Sequence, residues 1–249
     1  MTILCYLYFI YLEVEFGDVC NMEKAYFNWS SGKDSALALY YAMQTNKFNV
    51  DSLFSVIASG ENKIAMHEIR IPLLMKQAAQ IGIPLTVFHF NESWPHEEYG
   101  TEMEKYIEKF KAKGITTALF GDIYLEELRN KRISNCAKSG IKAEFPLWNI
   151  SPQEILKQFI EEGFKAIITC IDNSVLPESF LGKIIDREFM ETYPKSADIC
   201  GENGEYHSFV FDGPLFKNPV DFQIVRKYHA EYADEAAGKP RRYCYLELS

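Results

Sequence analysis

Residues 30–35, Ser-Ser-Gly-Lys-Asp-Ser, have side chains and a sequence position suited to phosphate binding. They stand between a β-prone stretch, residues 24–29, and a strong helix-forming stretch, residues 36–43, which predicts a strand, a tight turn and a helix. The first N–H groups of such a helix lack partners within the helix and lie at the positive end of its dipole, where anions bind. The alternative is an ordinary capped helix start.

Each residue of this segment has a predicted contribution. Gly32 permits close backbone approach and a positive φ, and Lys33 supplies a full positive charge from an exposed position in the loop. Asp34 either caps the helix or holds a magnesium ion that bridges phosphates. The spacing is not that of the Walker P-loop, because Phe27 occupies the position of its first glycine. The predicted phosphate-binding residues are Ser30, Ser31, Gly32, Lys33, Asp34 and Ser35.

A second group of residues able to do chemistry lies in the stretch 198–210. Glu202, Glu205 and His207 stand close together on a predicted glycine-containing turn that leads into an apolar strand. Strand alternation would direct Glu205 and His207 to one face if that strand begins early. Such a set can bind a cationic substrate, orient ammonia or remove its proton. The alternative is a surface β-hairpin with solvated charges.

The elements around these residues alternate between strand and helix, which predicts an α/β fold with a doubly wound parallel sheet. The predicted strands are 24–29, 51–58, 85–90 and 117–122, and the predicted helices are 36–43, 71–81 and 101–113. Ligands of such sheets bind beyond the carboxyl ends of the strands. Residues 30–35 and Asp122 both fall at that edge. We therefore predict Asp122 as a metal or substrate ligand, the alternative being a helix N-cap.

The regular alternation of strands and helices stops after Asp122. This change predicts a smaller C-terminal α+β domain that faces the nucleotide-binding edge of the parallel sheet. Ser151, Pro152 and Glu154 form the pattern of an N-cap, a first-turn proline and a capping box. Further predicted elements are helices 126–139 and 184–193 and strands 144–148 and 165–170. The predicted organisation is an extension at 1–21, a nucleotide-binding domain at 22–135, a substrate domain at 136–232, and a polar tail or closing strand at 233–249. The extension is interpreted as an over-extended translation start, the alternative being a loosely packed extra strand.

Composition limits the class of protein. The chain has 249 residues, of which 47% are hydrophobic, a normal share for a globular protein with a core. Its net charge of −9 argues against nucleic-acid binding driven by overall positive charge. Six cysteines without a CxxC pair argue against a zinc ribbon or iron–sulfur site and fit the reducing cytoplasm. The first 12 residues are apolar but too short to span a membrane.

Several motifs occur in an order that resembles a known family. They are residues 30–35, Met66-His67, Gly121-Asp122, Pro146-Leu147-Trp148, Leu181-Gly182 and the heptapeptide 201–207, Gly-Glu-Asn-Gly-Glu-Tyr-His. Together they resemble the ATP-binding family of diphthine–ammonia ligase, a branch of the PP-loop ATP pyrophosphatases, over roughly residues 23–216. The usual family hexapeptide is Ser-Gly-Gly-Lys-Asp-Ser, so Ser31 replaces a glycine.

This resemblance implies an adenine nucleotide α-hydrolase-like fold with ATP and Mg²⁺ as cofactors. ATP would adenylate a substrate carboxylate with release of pyrophosphate, and ammonia would then displace AMP. The implied acceptor is diphthine on translation elongation factor 2 or a different carboxylate, with ammonium as the second substrate. His67 would contact the nucleotide, the alternative being a surface histidine at a helix start, and Glu202, Glu205 and His207 would serve catalysis. The implied location is cytoplasmic, without a membrane partner.

Two other functions compete with amide formation. A PP-loop sulfurtransferase that modifies tRNA would be expected to carry a paired cysteine motif and a basic surface, and the sequence shows neither. A nucleotide-binding sensor without chemistry is the third reading. Pyrophosphate release that depends on a carboxylate substrate would exclude the sensor.

Overall fold

The computed structural model describes residues 22–58, 69–91, 93–232 and 240–249. The predicted extension at 1–21 and the predicted nucleotide contact His67 lie outside these ranges. Among the described residues, no helix has both the length and the apolar composition needed to cross a membrane.

The first sheet contains five parallel strands in the order β3-β2-β1-β4-β5. Its strands are β1 Glu23–Asn28, β2 Phe48–Ala58, β3 Leu85–Phe90, β4 Thr117–Leu119 and β5 Lys142–Glu144. The intervening helices are α1 Lys33–Gln44, α2 Ile71–Ile81, α3 His96–Ala112 and α4 Glu126–Lys138. The strand order reverses direction between β1 and β4, and this switch point is where open α/β sheets bind ligands. The predicted doubly wound parallel sheet is confirmed.

Helices cover both faces of this sheet because its central strand is apolar on both sides. Ala25 and Phe27 of β1 pack into the core that contains the apolar residues of α1 and α2. Tyr26 points to the other face and packs with Phe110 of α3 and Cys136 of α4. This pattern is typical of the central strands of parallel sheets.

The second sheet is antiparallel and has the order β7-β6-β9-β8. Its strands are β6 Lys165–Asp172, β7 Tyr206–Asp212, β8 Ile224–Tyr232 and β9 Arg241–Leu248. Helices α5 Pro152–Glu161 and α6 Arg187–Thr192 and a 3-10 helix, Glu178–Phe180, complete this α+β part. Of the two forms predicted for the C-terminal residues, the structure has the closing strand. The predicted domain boundary at residue 136 falls within α4, and the division into domains stays a prediction.

A buried glutamine connects the two sheets. Gln77 of α2 is fully buried, and its Nε2 donates to the carbonyl oxygens of Ser31 at 3.2 Å and Val210 of β7 at 2.6 Å. Its Oε1 accepts a hydrogen bond from Trp29 Nε1 at 2.9 Å. The turn before α1 is therefore fixed against a strand of the second sheet.

Several predicted bounds differ from those in the structure. Helix α3 begins at His96 rather than at Thr101, and β4 ends at Leu119, so residues 120–122 form a loop. Helix α1 begins at Lys33, which places this lysine in the first helical turn rather than in a loop. The bounds predicted for α2 and β3 are confirmed.

Candidate active site

A cavity of about 430 Å³ lies where the first turn of α1 meets the loop before β7. Both predicted constellations contribute to its wall. Among the residues that line it are Lys33, Asp34, Asp122, Arg132, Glu202 and Tyr243. The cavity thus stands at the carboxyl edge of the parallel sheet, beside the switch point.

In the turn before α1, Ser31 is the residue with a left-handed backbone conformation. Ser31 has a φ of +72°, whereas Gly32 has a φ of −87° and an extended backbone as the N-cap of α1. Gly32 permits a positive φ but does not adopt one here. The left-handed conformation costs a residue with a side chain about 1–2 kcal/mol, which explains why glycine suits this position. The Ser31 carbonyl accepts a hydrogen bond from the Val210 N–H at 3.0 Å.

Lys33 is buried, contrary to the predicted exposure. It is 3% exposed, and its ammonium donates to the Cys200 carbonyl and to Asp34 Oδ2, the latter at 2.8 Å. The same ammonium stands 4.9 Å from the ring centroid of Tyr206. Burial alone would lower the pKa of Lys33, but the charge and hydrogen bond of Asp34, together with Tyr206 and Cys200, outweigh it and raise the pKa well above its ordinary value.

The two carboxylate oxygens of Asp34 have different surroundings. Its Oδ2 accepts from Lys33, while its buried Oδ1 has no hydrogen-bond partner among the described residues. Burial raises the pKa of Asp34, and the Lys33 charge opposes that shift without cancelling it. Asp34 does not cap α1, because Gly32 is the N-cap. A buried carboxylate oxygen without a partner at the cavity wall fits a hard cation such as Mg²⁺.

Asp122 lines the same cavity in an ion pair with Arg132 of α4. The Arg132 Nε lies 2.7 Å from Asp122 Oδ2, and its guanidinium stacks 4.7 Å from the ring centroid of Phe120. Burial raises the pKa of Asp122, and the Arg132 charge works against that shift. Asp122 is not a helix cap, since α4 begins after Leu125. A metal ion at Asp122 would have to compete with this arginine.

Gly121 brings the loop after β4 against the first turn of α1. A Cβ placed on Gly121 would lie 3.0 Å from the Ser35 backbone nitrogen and 3.1 Å from the Asp34 carbonyl carbon. Side chains other than hydrogen do not fit this gap without moving backbone. The close approach holds Asp122 beside the phosphate-binding segment.

Glu205 braces the loop before β7 and lies away from the main cavity. It is buried, and its carboxylate accepts hydrogen bonds from Asp198 N at 3.0 Å, Asn203 N at 2.9 Å and Asn203 Nδ2 at 3.0 Å. It instead lines a smaller neighbouring cavity together with Asp172. The condition for a common face of Glu205 and His207, an early start of the strand, is not met, because β7 begins at Tyr206 and Glu205 belongs to the preceding turn.

Glu202 and His207 do line the main cavity. Burial, reinforced by the nearby Asp34 charge, raises the pKa of Glu202 to about 8. The Glu202 backbone N–H donates to Asp198 Oδ2 at 3.0 Å, and Tyr124 donates its hydroxyl to the same oxygen at 2.9 Å. The loop thus uses Asp198 and Glu205 to hold its shape while it presents Glu202 to the cavity.

Sequence reasoning missed several residues of this site. Ser208 accepts a hydrogen bond from the Lys33 backbone N–H at 3.2 Å, and Arg132 pairs with Asp122. Ser208 has no local signal, because Lys33 lies 175 positions away in the sequence. Arg132 follows Asp122 by 10 positions, but no local pattern joins a loop aspartate to an arginine in the next helix. Gln77 had one: it occupies the apolar stripe of α2, among Leu73, Leu74 and Ala78.

Comparison with known proteins gives two family matches along the chain. The model of the diphthamide synthase N-terminal domain matches residues 23–143, and that of the C-terminal domain matches residues 151–237.

Curated relatives are similar to part of the chain. Diphthine–ammonia ligase of Bos taurus is 30% identical over 121 residues, which cover 45% of this chain and 43% of that protein. The enzyme of Mus musculus is 29% identical over 148 residues, covering 57% and 52% respectively. That of Schizosaccharomyces pombe is 30% identical over 132 residues, covering 50% and 20%. The matched region therefore spans about half or less of each of these relatives.

Two solved structures show weaker similarity, each at 16% identity. The U34-tRNA thiolase NcsA from Methanococcus maripaludis has a TM-score of 0.34 and matches 57% of both chains. A predicted subunit of tRNA methyltransferase from Methanocaldococcus jannaschii has a TM-score of 0.38 and matches 59% of this chain and 80% of that one. Similarity at this level says nothing about function.

Proposed function

The chain belongs to the diphthamide synthase family, and from this premise we propose that it is an ATP-dependent ligase that joins ammonia to a substrate carboxylate. The named relatives are diphthine–ammonia ligases, and they share this chain's matched region at about 30% identity. For this chain, the acceptor carboxylate and the AMP-forming route are part of the proposal.

One observation supports this proposal above the others: the phosphate-binding segment and the acidic loop line a single cavity. Lys33 connects them, because its ammonium contacts Asp34 on one side and the Cys200 carbonyl on the other. Phosphate groups would bind against the first turn of α1, and Ser30, Ser35 and Lys33 would supply donors. His67, outside the described residues, is kept as a proposed nucleotide contact.

Mg²⁺ fits the carboxylates of this cavity. We assign it to Asp34, whose Oδ1 has no other partner among the described residues, with Asp122 as the second candidate ligand. A bound Mg²⁺ would neutralise phosphate charge that the acidic wall would otherwise repel. Among the described residues, Lys33, Arg132 and Arg241 are the cations that this chain itself contributes to the cavity wall.

The proposed reaction has two steps. In the first, a carboxylate oxygen of the acceptor attacks the α-phosphorus of ATP, and pyrophosphate leaves. In the second, ammonia attacks the acyl carbon, the bond to AMP breaks, and a proton leaves the nitrogen. Glu202 is our candidate to accept that proton, because it faces the cavity and its pKa of about 8 leaves about one-tenth of it ionised at pH 7, a share that rises to half at pH 8. His207 is a second candidate on the same wall.

The acidic wall also suits the proposed nitrogen substrate. Asp34, Asp122 and Glu202 line the cavity, and their carboxyl oxygens can accept hydrogen bonds from ammonium. Diphthine on translation elongation factor 2 is the acceptor to test first, since the relatives carry its name. The cytoplasm is the location that this acceptor implies.

Sulfur transfer is less well supported by the same cavity. Cys200 belongs to its wall, but burial raises the pKa of this thiol well above the ordinary value, and neighbouring carboxylates add to the effect. A nucleophilic thiolate is therefore disfavoured at this position.

A product assay tests the proposed function. The full chain is incubated with ATP, Mg²⁺, ammonium and a candidate carboxylate, and AMP, pyrophosphate and amide are measured. We expect the three products in equal amounts, and only when the carboxylate is present. Glu202→Gln should lower amide formation by on the order of 10²-fold, whereas the exposed control Glu108→Gln should not change it. Formation of ADP and phosphate, or nucleotide binding without turnover, would contradict the proposal.

A further inference from the structure

A cluster of three different ligand types lies on the second sheet, among residues that line neither the main cavity nor the smaller one beside it. Glu178 of the 3-10 helix, His229 of β8 and Cys244 of β9 place one ligand atom each within 4.8 Å of the others. In the described part of the chain, this is the one group of three His, Cys, Asp or Glu residues whose ligand atoms lie so close together. His229 and Cys244 are directly paired across the β8–β9 ladder, so the sheet itself sets their spacing.

The distances within the cluster match those between zinc ligands. Glu178 Oε1 lies 3.7 Å from His229 Nε2 and 3.6 Å from Cys244 Sγ. Zinc binds sulfur at about 2.3 Å and nitrogen or oxygen at about 2.0–2.2 Å, so its tetrahedral ligands stand about 3.3–3.6 Å from one another. Small rotations of the exposed Glu178 and His229 side chains would close the remaining difference.

The donor set favours a borderline cation over a hard one. Mg²⁺ and Ca²⁺ prefer oxygen ligands, whereas zinc and similar divalent ions bind thiolate and imidazole together. The buried Cys244 thiol donates its hydrogen bond to Glu178 Oε1, which identifies the oxygen that a cation would share with the sulfur. On metal binding, this thiol proton would pass to solvent.

We propose that Glu178, His229 and Cys244 form a site for a zinc-like divalent cation, separate from the proposed Mg²⁺ site at Asp34. Three protein ligands leave one coordination position for water, as in open zinc sites. The bound ion would fasten the β8–β9 hairpin to the 3-10 helix that follows β6. The proposed site adjoins the main cavity through β9. Tyr243 precedes Cys244 in this strand and lines the main cavity, and strand alternation places the two side chains on opposite faces of the sheet.

Calorimetric titration of the full chain with Zn²⁺, in the presence of excess Mg²⁺, tests this site. We expect the wild-type protein to bind one Zn²⁺ here, and Cys244→Ser and His229→Asn to lower the affinity by on the order of 100-fold or more. His229 is exposed, so its variant tests the site even if the Cys244 variant fails to fold. Cys136→Ser in α4 and His89→Asn in β3 are matched controls away from the cluster and should bind as the wild type does.

Cobalt provides a second readout that requires the sulfur ligand. Co²⁺ bound by the wild-type protein should give a thiolate-to-metal charge-transfer band that Cys136→Ser retains and Cys244→Ser loses. Zn²⁺ should also raise the melting temperature of the wild type but not that of His229→Asn. A band that survives Cys244→Ser, equal Zn²⁺ affinity in all variants, or binding that only Asp34→Asn abolishes would overturn the proposal.

Discussion

Ser31 combines backbone strain with a buried hydroxyl. Its φ of +72° is unfavourable for a residue with a side chain, and its Oγ has no hydrogen-bond partner in the described ranges. We predict that Ser31→Gly raises the free energy of unfolding by about 1 kcal/mol, since relief of 1–2 kcal/mol of strain exceeds the 0.5–1 kcal/mol entropic cost of glycine. Urea unfolding measures it. Ser31→Ala keeps the strain, so an alanine variant more stable than the glycine variant would contradict this explanation.

Lys33 should affect both nucleotide binding and stability, because it is buried against Asp34. Loss of a charge-assisted hydrogen bond of about 1.5–3 kcal/mol predicts that Lys33→Met weakens ATP binding by about 10- to 150-fold. The variant should also melt at a lower temperature, because Asp34 then lacks its compensating charge. Calorimetry and thermal unfolding measure the two effects. Lys47→Met, at an exposed surface pair, is the control, and unchanged ATP affinity in Lys33→Met would refute the phosphate assignment.

Glu202 should make stability depend on pH in a defined direction. Its pKa is about 8 in the folded protein and near 4.5 in the unfolded chain, so between these values the folded state holds a proton that the unfolded state has released. Stability contributed by this group therefore falls as pH rises from about 4.5 to 8, by at most roughly 1.4 kcal/mol per pH unit. Glu202→Gln cannot titrate and should gain stability relative to the wild type across that range. Parallel stability profiles in urea titrations at several pH values would rule this out.

At the scale of elements, the junction between the β4–α4 loop and α1 depends on Gly121. A methyl group on Gly121 would press on the backbone of Asp34 and Ser35, and such overpacking typically costs about 1–3 kcal/mol. We predict that Gly121→Ala lowers the free energy of unfolding by this amount and weakens ATP binding. Gly100→Ala is the matched control, because nothing lies within 4 Å of its added Cβ in helix α3. There alanine should stabilise the helix by about 0.5–1 kcal/mol. Equal effects of both substitutions in urea unfolding would count against the junction.

The elements that could be predicted well are those whose ends have local causes. Helix α2 begins with Pro72 in its first turn and ends at Gly82, whose φ is +83°, and α5 begins at Ser151, whose side chain accepts from Glu154 N at 3.3 Å. Each signal lies within four residues of the end that it fixes. Strand β4 was predicted too long, because where its ladder ends depends on pairing with β1 and β5.

The site could be predicted less completely, because its geometry depends on contacts distant in sequence. The segment 30–35 and the loop 201–207 were identified from residue types, and the structure brings them together. Which glutamate faces the cavity could not be predicted. Glu202 and Glu205 differ only in how the turn around Asn203 folds, and that turn directs Glu205 to backbone donors. The exposure predicted for Lys33 was wrong because its partner Cys200 belongs to the loop before β7, 167 positions away.

At the scale of the whole molecule, one hydrophobic core joins the two sheets. Buried residues from both sheets belong to it, for example Phe27 and Leu37 with Ile168 and Phe209. We predict that the chain unfolds in urea in one transition, with the same midpoint by tryptophan fluorescence and by far-ultraviolet circular dichroism. Gln77→Leu removes the polar link between the sheets and should lower both midpoints together. Two separated transitions in the wild type would show that the sheets unfold independently.

The contact between Lys33 and Ser208 has a consequence for how the protein is made. The two residues are separated by 175 positions, and the Cys200 carbonyl that holds the Lys33 ammonium is 167 positions away. During translation, the first turn of α1 therefore leaves the ribosome long before its partners exist. Until β7 has emerged, the nascent chain must carry Lys33 without its contact to the Cys200 carbonyl, together with an uncovered apolar face. ATP can meet the finished site only after β7 has emerged, so the nucleotide cannot serve as a template for early folding.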